Sequence, residues 1–448
     1  MLCGIPFYFF NHKPYYMSLV QEHAITWSTM EKVIFRFFFL FFLLYVIFFN
    51  NGAYPFFNYV MIWPTDILQK FVPWFARHVL HLSYEITVFT NGSGDTTYDY
   101  VCLLLVAMVS LAGCLVWSVA DRRRTHYERL YYWLTVAARF YVGLMLINYG
   151  LVKIFKSQFP SPGLARLTQP YGNSSPMGLA WTFLGFSNGY NLFMGIAEVA
   201  AILLLFRRTV AIGAIICLMT TANVMAVNYF YDVPVKIVST MLFVLTVFLL
   251  SPNFKRLFGF FFKGNLTSVK VIALPRFEKK WLRYTAVTVK ALIGVYILLV
   301  IYECYSMYQA YGDGSRTAEK NRPPLYGIYT VLSYKSSNDS AYNDLSKDTR
   351  WRQLVVEWPE YAMVRLVADT AYGYSFKPDT VKKQIAINLG QDTVHTSLLH
   401  YELRKDTLTL RGRLGEDSVL IRLARHDQQH YRLMNRGFHW INEYPYNR

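Results

Sequence analysis

Charge is scarce in this chain: Asp, Glu, Lys and Arg make up 16% of 448 residues, whereas 54% are hydrophobic. With a mean hydropathy of +0.22, that scarcity excludes an ordinary soluble enzyme, a disordered chain and a nucleic-acid-wrapping tail protein. The five cysteines (Cys3, Cys102, Cys114, Cys217 and Cys304) include no Cys-x-x-Cys pair, so neither a disulfide scaffold nor a zinc ribbon is indicated. A dinucleotide-binding glycine fingerprint, a haem attachment motif and an iron–sulfur spacing are all missing. Their absence weighs against a self-sufficient oxidoreductase. Residues 1–29 lack a continuous apolar core before a small-residue cleavage site, and read as an N-terminal tail rather than a signal peptide. Met30 looks like the natural start, directly before the first apolar run. No internal repeat is apparent.

What is present is apolar length. Aromatics reach 18%, as expected where interfacial belts and lipid-facing helices dominate. Seven apolar runs, at 33–49, 100–119, 131–151, 190–206, 210–227, 233–250 and 285–301, are long enough for spanning helices. The fourth and fifth are separated only by Arg207-Arg208-Thr209 and so form a tight helical hairpin. With the first helix starting inside, inside loops hold about fourteen Lys and Arg, outside loops about five. The expectation is a multi-pass inner-membrane protein, its net charge of +17 serving orientation rather than nucleic acid. An odd number of spans puts everything after residue 302 on the trans, periplasmic side.

The chain divides into a tail (1–29), two N-terminal spans with an outside loop (30–129), a membrane bundle (130–252), and a basic cytoplasmic loop with the last span (253–302). A linker (303–324) then leads to an extramembrane β-domain (325–448). The outside loop 50–99 clusters Trp, Phe and Leu with few charges, which suits helices lying at the membrane surface. Ser174-Ser175-Pro176 opens a helix of about two turns, too short to span. From about 325 the apolar period changes to two. Eight to ten short strands with close turns predict a small antiparallel barrel or sandwich, with Tyr329, Trp351, Trp358, Tyr401 and Trp440 as inward candidates. Residues 435–442 are expected to form its closing strand.

The candidate functional residues are ionisable and polar groups in or beside the spans: Arg139, Lys153, Glu198, Asn223, Asn228, Asp232 and Lys236. Arg139 and Glu198 lie near the middles of antiparallel helices and are expected to share a depth at which their side chains can pair. Arg139, Gly143, Gly150 and Lys153 fall on one helical face, where the glycines admit a neighbouring helix or flat ligand. Three readings follow. These charges lock the bundle, with Asp232 and Lys236 capping a helix start; or they line an outward-facing polar pocket for a quinone, a small anion or a lipid head group; or they form a proton or ion path. Weaker signals, His78 with His81 and His426 with His430, have no metal-site spacing.

The stretch from about 130 to 252 resembles the DoxX family of small membrane proteins. The resemblance rests on Ala138-Arg139, Gly143, Gly150-Leu-Val-Lys153, Gly195-Ile-Ala-Glu198, Leu203-Leu-Leu-Phe-Arg-Arg208, and Asn223 through Asp232-Val-Pro-Val-Lys236. It implies a four-helix membrane bundle and a place in a quinone-linked redox system, with quinone as cofactor and a redox partner protein beside membrane lipid. Extra spans and the β-domain depart from the short family pattern, and no family catalytic residue carries over. The other reading is a non-catalytic membrane scaffold or binding protein whose β-domain engages an envelope partner or lipid.

Overall fold

The computed structural model describes residues 26–88, 94–266, 268–269, 280–312, 322–337, 350–389, 396–437 and 439–443. Most of the predicted tail therefore lies outside the described residues. Helix α1 (Thr29–Phe48) begins at Ser28, whose hydroxyl accepts from the Glu31 amide while Glu31 accepts from the Ser28 amide. This reciprocal pairing satisfies donors that a helix start leaves unbonded. Helix α2 (Phe57–His78) follows, then α3 (Thr97–Ala120), α4 (Glu128–Ile154), the short α5 (Leu164–Thr168) and α6 (Pro176–Phe186). Helix α7 (Asn188–Val199) tightens into a 3-10 helix through Leu205. Helices α8 (Val210–Phe230) and α9 (Lys236–Leu250) pair as a hairpin, and α9 runs through a 3-10 turn into α10 (Phe254–Lys263). Helix α11 (Lys280–Tyr311) completes the membrane part.

Among the described residues, six helical stretches are long and apolar enough to cross a membrane: α3, α4, α7 with its 3-10 extension, α8, α9 through α10, and α11 to Ala310. The first predicted span, α1, is shorter in apolar length because its opening turns carry Glu31, Lys32 and Arg36. It still packs along α3 and α4. Arg36 is buried, donating to the Tyr127 hydroxyl (2.7 and 2.9 Å), Ser118 Oγ (3.0 Å) and the Asp121 carbonyl (2.8 Å). A buried guanidinium needs such partners, and this set ties the start of α1 to the α3–α4 turn.

The expected surface helices of the 50–99 loop are represented by α2, which buries Val72, Phe75 and Ala76 and exposes Tyr59, Trp63, Ile67 and Trp74. Ser175 caps α6, accepting from the Gly178 amide at 3.0 Å, with Pro176 as its first residue. At 11 residues it makes three turns rather than the two expected. Of the predicted linker, residues 303–311 continue α11 instead. Cys304 is buried there against Ile147 and Leu151 of α4.

Eight antiparallel strands follow: β1 (Gly327–Ser336), β2 (Trp351–Trp358), β3 (Tyr361–Leu366), β4 (Ala371–Asp379), β5 (Gln384–Leu389), β6 (Ser397–Arg404), β7 (Thr407–Leu414) and β8 (Asp417–His426). Each pairs with its sequence neighbour, and β8 returns to β1, giving a closed up-and-down barrel. Leu354, Val364, Ile385, Leu408, Leu410 and Ile421 are fully buried, so side chains fill the interior. Tyr329, Trp351 and Tyr401 join that core, whereas Trp358 and Trp440 are exposed. The expected closing strand at 435–442 does not form: Arg432–Asn435 is a short helix, α12, and the described residues after it are in no strand. With β1 already paired to β8, the closed sheet offers no edge for another strand.

Candidate functional site

The two ends of the bundle differ. At one end lie Arg122–Arg124 and the Arg207–Arg208 turn; at the other lie the start of α3, the α4–α7 connection and the barrel. Glycines set how α4 meets α7. A Cβ on Gly150 would stand 2.7 Å from the Gly195 carbonyl oxygen, and one on Gly143 would stand 3.5 Å from the Ala201 carbonyl oxygen. At Gly150 only a hydrogen side chain permits this approach, whereas the distance at Gly143 is ordinary van der Waals contact.

That register decides the partner of Glu198. Lys153 Nζ donates to both its carboxylate oxygens, at 2.6 and 2.8 Å, and both residues are buried. The expected Arg139–Glu198 pair does not form. Arg139 lies 14 residues, about 21 Å, down the α4 axis from Lys153. The close Gly150–Gly195 contact sets Glu198 against the barrel end of α4, so equal distances from the helix ends do not mean equal depth. Arg139 is buried near the middle of α4, its Cζ 5.1 Å from the Phe140 ring centroid.

The pair has an aromatic and polar surround. Lys153 Nζ lies 5.6 Å from the ring centroids of both Tyr149 and Phe159, within cation–π range. Lys156, buried and at a φ of 55°, donates to Ser161 Oγ (2.7 Å), the Gly185 carbonyl (2.8 Å) and Asn188 Oδ1 (2.6 Å). These bonds fold the 155–187 segment back over the bundle. Asn191 Oδ1 and Gln158 Oε1 are buried acceptors without a hydrogen-bond partner among the described residues. Tyr149, Lys156 and Asn191 were not singled out from sequence; the three-residue spacing from Lys153 near a predicted span end is a signal for Lys156 alone.

The remaining candidates lie elsewhere. Asp232 and Lys236 form an ion pair of 2.8 Å in which the Asp232 side chain is 83% exposed. Beside it Asp95, also unpredicted, accepts from the Lys236 and Ile237 amides at 2.5 and 2.9 Å, capping α9. The Gly94 amide donates to the Pro234 carbonyl at 2.9 Å. This cluster staples the start of α3 to the start of α9, which accords with the helix-capping reading. Asn228 is buried and reaches the Val235 carbonyl at 3.5 Å, and Asn223 is exposed on α8. The seven candidates thus occupy several places, of which Lys153–Glu198 alone is a buried pair of opposite charges.

The barrel meets the covering segment directly. Glu357 on β2 accepts from the Leu164 amide at 3.0 Å and the Ala165 amide at 3.1 Å. Leu164 packs against Ile328 and Val355 of the barrel. A Cβ on Gly163 would overlap the Glu357 carboxylate, so the docking needs glycine there. Burial pushes the Glu357 carboxyl above its ordinary value, the two amide donors offsetting part of the rise.

Among the described residues no group of three or more His, Cys, Asp or Glu is placed to hold a metal ion. His78 stacks on Trp74, and the His426 and His430 rings lie 6.5 Å apart, edge to face. Among known proteins, the chain is 34% identical to the uncharacterized protein YwoB of Bacillus subtilis (strain 168) over 137 residues, which are 30% of this chain and 86% of YwoB. No family model and no solved structure matches it.

Proposed function

The chain belongs to the family of YwoB, and we propose that it is a multi-pass membrane component of a redox system that receives a quinone head group or small anion at Lys153 and Glu198. The observation that carries this reading is a buried, mutually bonded ammonium and carboxylate beneath a folded-back segment, with the unfilled acceptors Asn191 Oδ1 and Gln158 Oε1 also buried. Lys153 is the donor for a carbonyl or anion, and Glu198 the group that exchanges a proton. The resemblance of residues 130–252 to the DoxX family supports the redox assignment. Any further redox centre belongs to a partner protein.

The barrel is assigned to the trans side of the inner membrane. Its contact with α5 supports this independently of the number of spans, because α5 lies at the end opposite the Arg207–Arg208 turn. Val381 is 89% exposed on the barrel. A Val381→Cys variant should react with a membrane-impermeant maleimide in intact cells or spheroplasts; labelling only after lysis places the barrel inside.

A second reading is favoured by the two short bonds that satisfy Lys153 and Glu198 internally. Here the pair locks α4 to α7, and the chain is a scaffold whose barrel engages an envelope partner or lipid through its outer surface. Extraction of the purified protein separates the two. Stoichiometric quinone in the wild type, lost from a folded Lys153→Met variant, supports the redox site. Phospholipid alone, equal in both samples, supports the scaffold.

A further inference from the structure

Near the middle of α4, about 21 Å along its axis from Lys153, Arg139 is 4% exposed, and its Nε is buried with no hydrogen-bond partner among the described residues. The carboxylate expected to neutralise it is bonded to Lys153. Tyr132 and Arg207 act on it electrostatically, and the interaction with Arg207, at the turn between the α7 extension and α8, is repulsive. Two cations thus converge where membrane helices leave little water to screen them. A buried guanidinium is stable when an anion or several acceptors share its protons.

The surroundings indicate which anion. Gly143, one turn from Arg139, packs on Ala201 and Leu205, which sets Arg139 beside the point where the α7 extension ends. Arg207 is half-buried at this turn and Arg208 is exposed. In the same turn and the helix leading to it, Phe206 (61% exposed) and Ile202 (39%) present apolar surface outward. Aromatic groups beside cations at a helix end mark the level of lipid head groups. Exposed apolar side chains next to the cations suit an occupant carrying acyl chains.

We propose that Arg139 and Arg207 form a site for a phosphodiester, supplied by an anionic phospholipid of the leaflet nearest the Arg207–Arg208 turn. Arg139 is the floor of the site, and Arg207 the wall that a phosphate oxygen reaches from the membrane. Guanidinium groups suit this role because their planar donors match phosphate oxygens. The site lies about 21 Å along α4 from Lys153, so it stands or falls independently of the proposed redox site.

The test uses the full chain, delipidated in detergent and titrated with phosphatidylglycerol, phosphatidylcholine or inorganic phosphate, with bound lipid counted by native mass spectrometry. Phosphatidylglycerol is expected to bind the wild type, about tenfold more weakly Arg139→Gln, and more weakly Arg207→Ala as well. Inorganic phosphate at millimolar concentration should leave the lipid bound. Displacement by inorganic phosphate, or equal binding of phosphatidylcholine, overturns the lipid assignment. Should Arg139→Gln fail to fold, Arg207→Ala at the turn decides alone: unchanged affinity for phosphatidylglycerol overturns the site.

Discussion

Lys153 of α4 and Glu198 of α7 hold one another through two hydrogen bonds of 2.6 and 2.8 Å inside the membrane bundle. Their side chains retain 6% and 3% of their exposure, so solvent screens the pair little. Removing either partner leaves the other charge buried and unpaired, a loss of about 3–5 kcal/mol. Lys153→Met and Glu198→Gln should each lower the unfolding midpoint in detergent, and the double variant should regain much of the loss. Additive effects in this double-mutant cycle would contradict direct coupling of the pair.

Gly150→Ala and Gly195→Ala probe the register that creates the pair. The added methyl groups would lie 2.7 Å from the Gly195 carbonyl and 2.5 Å from Ile154 Cγ1, respectively. Overpacking of this kind costs about 1–3 kcal/mol. Each variant should be less thermostable than wild type, whereas Gly172→Ala, with open space around it, should not.

At the α3–α9 staple, the half-buried and exposed carboxylates should behave differently. Asp95→Ala removes the cap of two α9 amides and should cost about 0.5–2 kcal/mol. Asp232→Ala breaks a pair whose carboxylate faces out, and no measurable change in the melting temperature is expected. Comparable losses from both would show that the exposed pair matters to the fold.

Glu357 gives the barrel docking a pH dependence. Its folded-state pKa is raised, chiefly by burial. The folded protein therefore holds this proton more tightly than the unfolded chain. Its stabilising contribution is fully present below the ordinary carboxyl value of about 4.3 and is lost as pH rises through the raised value. Glu357→Gln has no such titration. The melting-temperature difference between wild type and variant should shift against wild type across that window, and a constant difference would contradict the assignment.

Gly163→Ala should separate docking from barrel folding. The methyl group meets the Glu357 carboxylate, and the barrel core does not include Gly163. Protease sensitivity should rise in the 155–187 segment while the barrel strands keep their hydrogen-exchange protection.

The class of fold is legible in the chain: apolar runs long enough to span, arginine-rich turns at one end, and a change to period two after residue 325. These are local properties, legible because a bilayer selects on segment length and a sheet on alternation. Gly143 and Gly150 likewise declared the close face of α4, and both meet the α7 segment. Tertiary structure decided the pairings. Glu198 bonds Lys153 because the depth at which two helices meet depends on the Gly150–Gly195 contact, which neither helix specifies alone. The same holds for Asp95 over α9 and for Glu357 beneath α5, partners separated by 141 and 193 residues. A charge's residue type is written in the chain, but the group that neutralises it is fixed only when packing brings the two into a medium that screens them weakly.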